Sequence, residues 1–335
     1  MGNAPRSRFI ATSKKVTILG FTSLWQNKAR VILSNNKART ILIKRRAFLT
    51  TIGVGGLGLC QTASAKQRHR HAQPHHHIPP SDAPPLTALS EATRQQISQL
   101  IAIAPHRSRQ ERIVLMSQFM KGTPYLAQPL IGSATTQEEL ILSWRGVNCM
   151  TFVEIILAAS RSFTVEQFIH ALIATRYRHH HVTFTERRHF YSDWLYGTPI
   201  LCRDLSPHFP YAQHISKTLN LKLPPTSPAN TAPEDRYLPG IPLKKRLITY
   251  LPTKPLLDNL HHHTIKTHIK SGDVIGIYSP LPGLDVFHIG LAIWRGHELL
   301  FRNASSLPEH RYVVDTPLAD YLKERRGIVL YRPIL

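Results

Sequence analysis

Asp285-Val286-Phe287-His288-Ile289-Gly290-Leu291-Ala292, continued by Ile293 and Trp294, alternates with the period of two that marks a β-strand. Phe287, Ile289, Leu291 and Ile293 fall on one face and read as a core stripe. His288, Gly290 and Ala292 fall on the other, where small residues leave room for another element beside the imidazole. A histidine kept only for packing belongs on the apolar stripe, so this placement points to function. If Arg295-Gly296 forms a tight turn, Trp294 pairs with His297 and Asn303 lies directly opposite His288, while a bulge shifts that register by one. Facing Cβ atoms are then about 4.5–5.5 Å apart, close enough for Asn303 to accept a hydrogen bond from the imidazole.

Outward from this strand, residues 274–278, 298–303 and 328–332 are also β-rich. Upstream the period changes to helical. Leu89, Ile97, Leu100 and Ile101 mark one helix, and Ile113, Met116, Phe119 and Met120 mark a second that Gly122-Thr123-Pro124 ends. A third starts near Asn148 and carries Phe152, Val153, Ile156, Leu157 and Ala159. Thr164 with Gln167 reads as a capping box for a fourth, running to about Tyr177. Residues 224–242 hold six prolines and read as a long surface loop. Helices first and strands afterwards predict an α+β fold rather than an alternating α/β sheet.

Cys149 stands in Arg145-Gly146-Val147-Asn148-Cys149-Met150-Thr151-Phe152-Val153-Glu154. Asn148 is a good N-cap and places Cys149 in the first helical turn, where unpaired amides and the helix dipole favour a thiolate. A buried structural cysteine, or one joined to Cys202, is the competing reading. With an imidazole and an amide from the strand pair, the set Cys149, His288 and Asn303 has the composition of a nucleophile, a base and an orienting group.

The chain has 335 residues and a formal net charge of +22, with 42% hydrophobic and 19% charged side chains, so it can bury a core. Half of that charge lies in residues 1–65, which contain 11 Lys or Arg and no acid; the rest carries a net +11. That excess favours an anionic ligand but is too dilute to demand nucleic acid. Lys44-Arg45-Arg46-Ala47-Phe48-Leu49, a short apolar run and Ala63-Ser64-Ala65 have the three parts of an export signal of twin-arginine type. Residues 1–65 are therefore expected to be a signal peptide with a long basic leader, leaving a periplasmic or secreted protein without a membrane span. Residues 66–85, rich in His and Pro, read as a flexible linker rather than a metal site, and His179–His181 and His261–His263 as exposed turns. Three cysteines are too few for a disulfide scaffold or a thiolate zinc cluster, and neither metal nor other cofactor is expected.

Six short motifs then follow the order of a known family: Gly122-Thr123-Pro124-Tyr125, Asn148 to Glu154, Arg188-His189-Phe190-Tyr191-Ser192-Asp193-Trp194, Ser271-Gly272-Asp273-Val274-Ile275, Pro282-Gly283-Leu284-Asp285 and His288-Ile289-Gly290. They resemble the N-acetylmuramoyl-L-alanine amidase-like branch of the NlpC/P60 cysteine peptidases, over about residues 97–335. The resemblance implies a papain-like core in one domain, 86–335, with the third helix packed on an antiparallel sheet. It also implies hydrolysis of the amide joining N-acetylmuramic acid to L-alanine, chiefly in anhydro-muropeptides, by a monomer. It implies Cys149, His288 and Asn303 as catalytic residues, with Tyr125 and Asn148 supporting the oxyanion site and the helix start. It places Arg188, His189, Asp193, Trp194 and Asp285 on the substrate side, with Trp194 stacking on sugar and Arg188 meeting a carboxylate. The family usually carries Asp at the position of Asn148 and His at that of Asn303. Two further readings are an endopeptidase acting at the γ-D-Glu–diaminopimelate bond and a catalytically weak cell-wall binding protein. On the export reading, N-terminal sequencing of the secreted form gives Lys66 as the first residue, and an intact Cys60 in that form contradicts it.

Overall fold

The computed structural model describes residues 89–222 and 236–334; the expected signal peptide and the His/Pro-rich linker lie outside them. Four helices come first: α1 (Glu91–Ile101), α2 (Arg109–Phe119), α3 (Cys149–Ser160) and α4 (Val165–Arg176). Strands β1 (Cys202–Asp204), β2 (Gln213–Leu219) and β3 (Lys244–Pro252) follow, then short helices α5 (Thr253–Asp258) and α6 (His263–His268). The chain closes with β4 (Val274–Tyr278), β5 (Val286–Arg295), β6 (Glu298–Ala304), β7 (Val313–Pro317), α7 (Leu318–Tyr321) and β8 (Gly327–Pro333). The strands form one antiparallel sheet in the order β2-β3-β8-β4-β5-β6-β7, with β1 also on β8. This is the α+β arrangement expected from the order of elements.

The sheet is covered on both faces. Ile289, Leu291 and Ile293 of β5 join the larger core beneath α3, while Ala292, with Ile275, Ile277 and Phe301, packs under α5, α6 and α7. The face of β5 carrying His288 is thus closed by Leu318, Tyr321 and Leu322 rather than left open. Helix α3 is the hub because every residue from Thr151 to Ser160 is buried. An all-round apolar helix has no solvent face to offer and must be enclosed. Arg112, itself buried, closes its far end: its guanidinium donates to Ala159 O at 3.3 Å, Ser162 O at 2.8 Å and Ile101 O at 2.9 Å, satisfying carbonyls at the ends of α1 and α3.

Two expectations need correction. The long hairpin β2–β3 is absent from the sequence reading, because Ile215 and Leu247 point to solvent while Lys217 and Thr249 are buried, so the alternation is blurred. The end of the Pro-rich segment is no free loop: the buried Asn220 donates to Leu238 O at 3.0 Å and Ile241 O at 2.8 Å and accepts from Leu238 N–H at 2.7 Å. Residues 223–235 of it lie outside the described residues. Elsewhere, His179 and His181 are exposed in a tight turn, as expected, whereas His263 begins α6.

Helices α3 and α4 are tied by an ion pair buried at both ends, Arg176 Nε to Glu154 Oε2 at 2.7 Å, with Arg176 also donating to Ile141 O at 2.7 Å. Removing one partner strands the other charge in the interior. Glu154→Ala is expected to cost about 3–5 kcal/mol in urea denaturation, and Lys254→Ala in the exposed Lys254–Asp258 pair less than about 1 kcal/mol.

Candidate active site

Helix α3 begins at Cys149, and its start is fixed by a reciprocal cap. Asn148 Oδ1 accepts from Thr151 N–H at 2.9 Å, and Thr151 Oγ1 accepts from Asn148 N–H at 3.0 Å. Cys149 therefore occupies the first helical position, where its own amide has no intrahelical acceptor. The segment before it runs beside residues 124–126: Val147 N–H donates to Pro124 O at 3.0 Å and Leu126 N–H to Val147 O at 2.9 Å. A side chain at Gly146 would meet Pro124 O at 2.9 Å, so glycine is needed for this approach. Tyr125 is brought alongside Cys149 in this way.

His288 comes from β5, just beyond an irregularity in its ladder with β4. The β5–β6 turn is Gly296-His297, not Arg295-Gly296, because Arg295 pairs with Glu298. The partner of Asn303 is therefore displaced two residues, from His288 to the position of Gly290, and the paired ladder ends earlier, at Leu291–Arg302. A shift of two keeps Asn303 on the His288 face, now as a diagonal neighbour. Gly290 makes the diagonal contact possible, since any Cβ there would lie 2.9 Å from the Asn303 Cβ and 2.5 Å from Arg302 O. The resulting hydrogen bond, His288 Nε2 to Asn303 Oδ1, is 2.9 Å long. Asn303 Nδ2 donates to Phe301 O at 3.2 Å, which turns its oxygen toward the ring. An amide oxygen only accepts, so Nε2 carries the proton and Nδ1 is left to face the sulfur.

Cys149 and His288 lie close enough to act on each other electrostatically, and both are partly accessible. Burial works against charge on each, and their mutual attraction prevails: the Cys149 pKa is lowered and that of His288 raised. After His288, the backbone N–H groups of Ile289 and Met150 add to the stabilisation of the thiolate. The imidazole is flanked by Tyr321, nearly parallel at 6.3 Å between centroids, and by the edge-on Phe301 at 6.0 Å. Tyr321 was not singled out in the sequence, because nothing in Leu318-Ala319-Asp320-Tyr321-Leu322 sets it apart from a packing aromatic. Burial and then the charge of Cys149 raise the Tyr125 pKa, so its hydroxyl remains a donor.

Of the residues expected on the substrate side, Arg188, Asp193, Trp194 and Asp285 are buried, and His189 is half-buried. Trp194 has no exposed surface and sits in the core against Tyr191, which removes any face for a sugar. Arg188 is buried and donates to Ala174 O at 3.4 Å and Pro199 O at 2.5 Å, leaving it unavailable to a ligand carboxylate. Burial lowers the His189 pKa to about 4, and its Nε2 contacts Phe184 O at 2.7 Å. Asp193 is paired with Lys244 at 2.9 Å and accepts from Phe190 N–H at 3.2 Å. Asp285 accepts from Ser192 N–H at 2.7 Å and Val286 N–H at 2.8 Å, fastening this segment to the start of β5. Together they form a brace behind His288. Cys202 is a buried free thiol whose pKa burial raises, and Cys149 is free as well, so the two are not joined. Among the described residues no group of three or more His, Cys, Asp or Glu side chains is placed to share a metal ion, and no helix is long and apolar enough to cross a membrane.

A helix-borne thiol set against an imidazole and an amide on an antiparallel sheet defines the class of site. The chain belongs to the AmiA-like, N-acetylmuramoyl-L-alanine amidase-like family, whose profile matches residues 115–328. A solved N-acetylmuramoyl-L-alanine amidase from Bacteroides uniformis is similar at 26% identity and a TM-score of 0.52, over 68% of this chain and 99% of its own. A Legionella pneumophila protein of the DUF1460 family shares the fold, with a TM-score of 0.59 at 22% identity over 74% of this chain and 97% of its own. No curated protein matches in sequence. Family and neighbour together support a peptidoglycan amidase-like role.

Burial lowers the His288 pKa, and Arg325, a nearby second cation, adds to that effect against the raising influence of Cys149 and Asn303. Arg325→Gln is expected to let the imidazolium persist to higher pH, read as an upward-shifted His288 titration by NMR. Iodoacetamide should modify Cys149 at pH values below the ordinary thiol range, and His288→Ala should move that profile upward.

Proposed function

We propose that the protein is an exported cysteine amidase that hydrolyses the bond between N-acetylmuramic acid and L-alanine in anhydro-muropeptides, on a papain-like core of the NlpC/P60 type. The observation that carries the reading is geometric: Cys149 opens a buried helix under a reciprocal cap, beside a His288 that Asn303 orients through a 2.9 Å hydrogen bond, and this proximity lowers the Cys149 pKa and raises that of His288. Membership of an amidase-like family supplies the substrate class.

The Cys149 thiolate attacks the lactyl carbonyl carbon, and the carbonyl π electrons move onto oxygen. The oxyanion is met by the Cys149 N–H and the Tyr125 hydroxyl. As the C–N bond breaks, His288 passes its proton to the departing L-Ala nitrogen, leaving a thioester and a neutral imidazole. Water then gives a proton to His288 and its oxygen to the acyl carbon, and the thiolate leaves. Asn303 holds the ring through Nε2, which keeps Nδ1 on the reacting side in both halves of the cycle. The enzyme works as a periplasmic monomer on soluble wall fragments.

Incubation with purified anhydro-disaccharide tetrapeptide is expected to release an intact stem peptide with a free L-Ala amine, and mass spectra retaining L-Ala-D-Glu on the disaccharide identify an endopeptidase instead. Cys149→Ala should abolish turnover. Asn303→Ala should cost about 10- to 100-fold in kcat, the scale of losing one charge-assisted hydrogen bond of about 1.5–3 kcal/mol, and Asn303→His should retain activity.

A further inference from the structure

Arg311 lies in the connection between β6 (Glu298–Ala304) and β7 (Val313–Pro317). It is exposed, and its guanidinium lies over the Tyr125 ring, 4.8 Å from the centroid. Tyr125 responds electrostatically to both Cys149 and Arg311, so the cation is one aromatic ring away from the nucleophile. Other arginines near the core have acids to hold them: Arg302 pairs with Asp315 at 2.6 Å, Arg332 with Asp273 at 2.7 Å and Arg176 with Glu154 at 2.7 Å. Arg311 makes no ion pair among the described residues, not even with Glu309 two positions upstream.

Its backbone gives an independent sign. Arg311 has φ +47°, a left-handed conformation that a residue with a Cβ adopts at a cost and that glycine would take freely. The conformation is held by Arg311 N–H donating to Leu307 O at 3.0 Å and by Arg311 O accepting from Tyr125 N–H at 2.8 Å. A bulky cation is therefore kept where the backbone would be easier without it, and the turn delivers it to the face of Tyr125.

We infer that Arg311 is the specificity residue that binds a carboxylate of the leaving peptide beside the scissile amide. The inference rests on the amidase reading. On that reading the acyl side offers no free carboxylate, since the lactyl carboxyl is consumed in the amide, while the D-glutamate after L-alanine carries one. A guanidinium stacked on an aromatic ring is pre-oriented, keeps its outer N–H groups free and matches a carboxylate with two parallel hydrogen bonds. Arg188, which the sequence offered for this task, is sealed in the interior.

The test compares N-acetylmuramoyl-L-alanyl-D-glutamate with the analogue whose α-carboxylate is a carboxamide, using the full chain. Wild type is expected to favour the acid by about 10- to 100-fold in kcat/KM, mainly through KM. Arg311→Gln should bring that ratio to about one, and Arg311→Lys, which keeps the charge without the fork, should give an intermediate value. Iodoacetamide labelling of Cys149 in each variant reports whether the cleft has formed. Calorimetry on Cys149→Ala, with and without Arg311→Gln, reads the same preference without turnover. If neither compound is cleaved but the carboxylate preference in binding disappears with Arg311, the inference stands and the amidase reading falls. An acid-to-amide ratio unchanged by Arg311→Gln, or no binding of either compound, overturns the inference.

Discussion

The contact between α3 and β5 is the constraint on which the cleft depends. A helix buried from Thr151 to Ser160 can meet solvent only at its ends, and Arg112 closes one of them. The other end carries Cys149, so the single reactive group of the helix emerges where its unpaired amides also emerge. Beneath it, the β5–β6 ladder stops at Leu291–Arg302, and the Ile289 N–H and His288 become available to the sulfur. Burial alone would suppress charge on both thiol and imidazole. Placed together, each stabilises the other's ionised form, and the pair exists as a unit that neither partner sustains alone.

Precision at this junction is maintained from behind. Tyr191 and Trp194 pack into the same core as α3, and polar groups of the segment from Arg188 to Trp194 are tied to protein: Arg188 on carbonyls, Asp193 on Lys244, Ser192 N–H on Asp285. Asp285 also accepts from the first amide of β5, that of Val286, two residues before His288. A motif can thus be tied to a function because it positions the reacting strand, without touching substrate. Lys217 works in a similar way from β2, donating to the carbonyls of Ser279, Leu281 and Leu284 and gathering the loop that leads into β5; burial pushes its pKa down to about 8.

Legibility in the sequence followed how local each determinant is. The start of α3 was readable because a cap is a contact across three residues, Asn148 to Thr151. The face of β5 was readable because its alternation is periodic. The hairpin register was not, since moving the turn by one residue to Gly296-His297 shifts every partner by two; the parity survived, and with it the side of the sheet on which Asn303 lies. Trp194 and Arg188 were misplaced because an aromatic or a cation in a polar run looks the same whether it faces ligand or core. Arg311 and Tyr321 were invisible, as the first depends on a positive φ and the second on the short helix α7 folding back over the sheet.

The choice of a neutral third group has a consequence for the electrostatics of the cleft. A carboxylate on His288 would raise the imidazole pKa further and place a negative charge beside the thiolate. Asn303 orients the ring without adding charge, and the nearby Arg325 opposes the imidazolium. Cationic groups gather around Cys149: the imidazole of His288 when protonated, Arg325 beside it and, across Tyr125, Arg311. Such an environment favours the ionised nucleophile, the oxyanion that follows it and an acidic ligand by the same field. On the proposed mechanism, acylation spends the thiolate and the imidazolium proton together, so the net charge of the pair is the same before and after the amide is cut, and the field of the surrounding cations acts alike on both halves of the cycle.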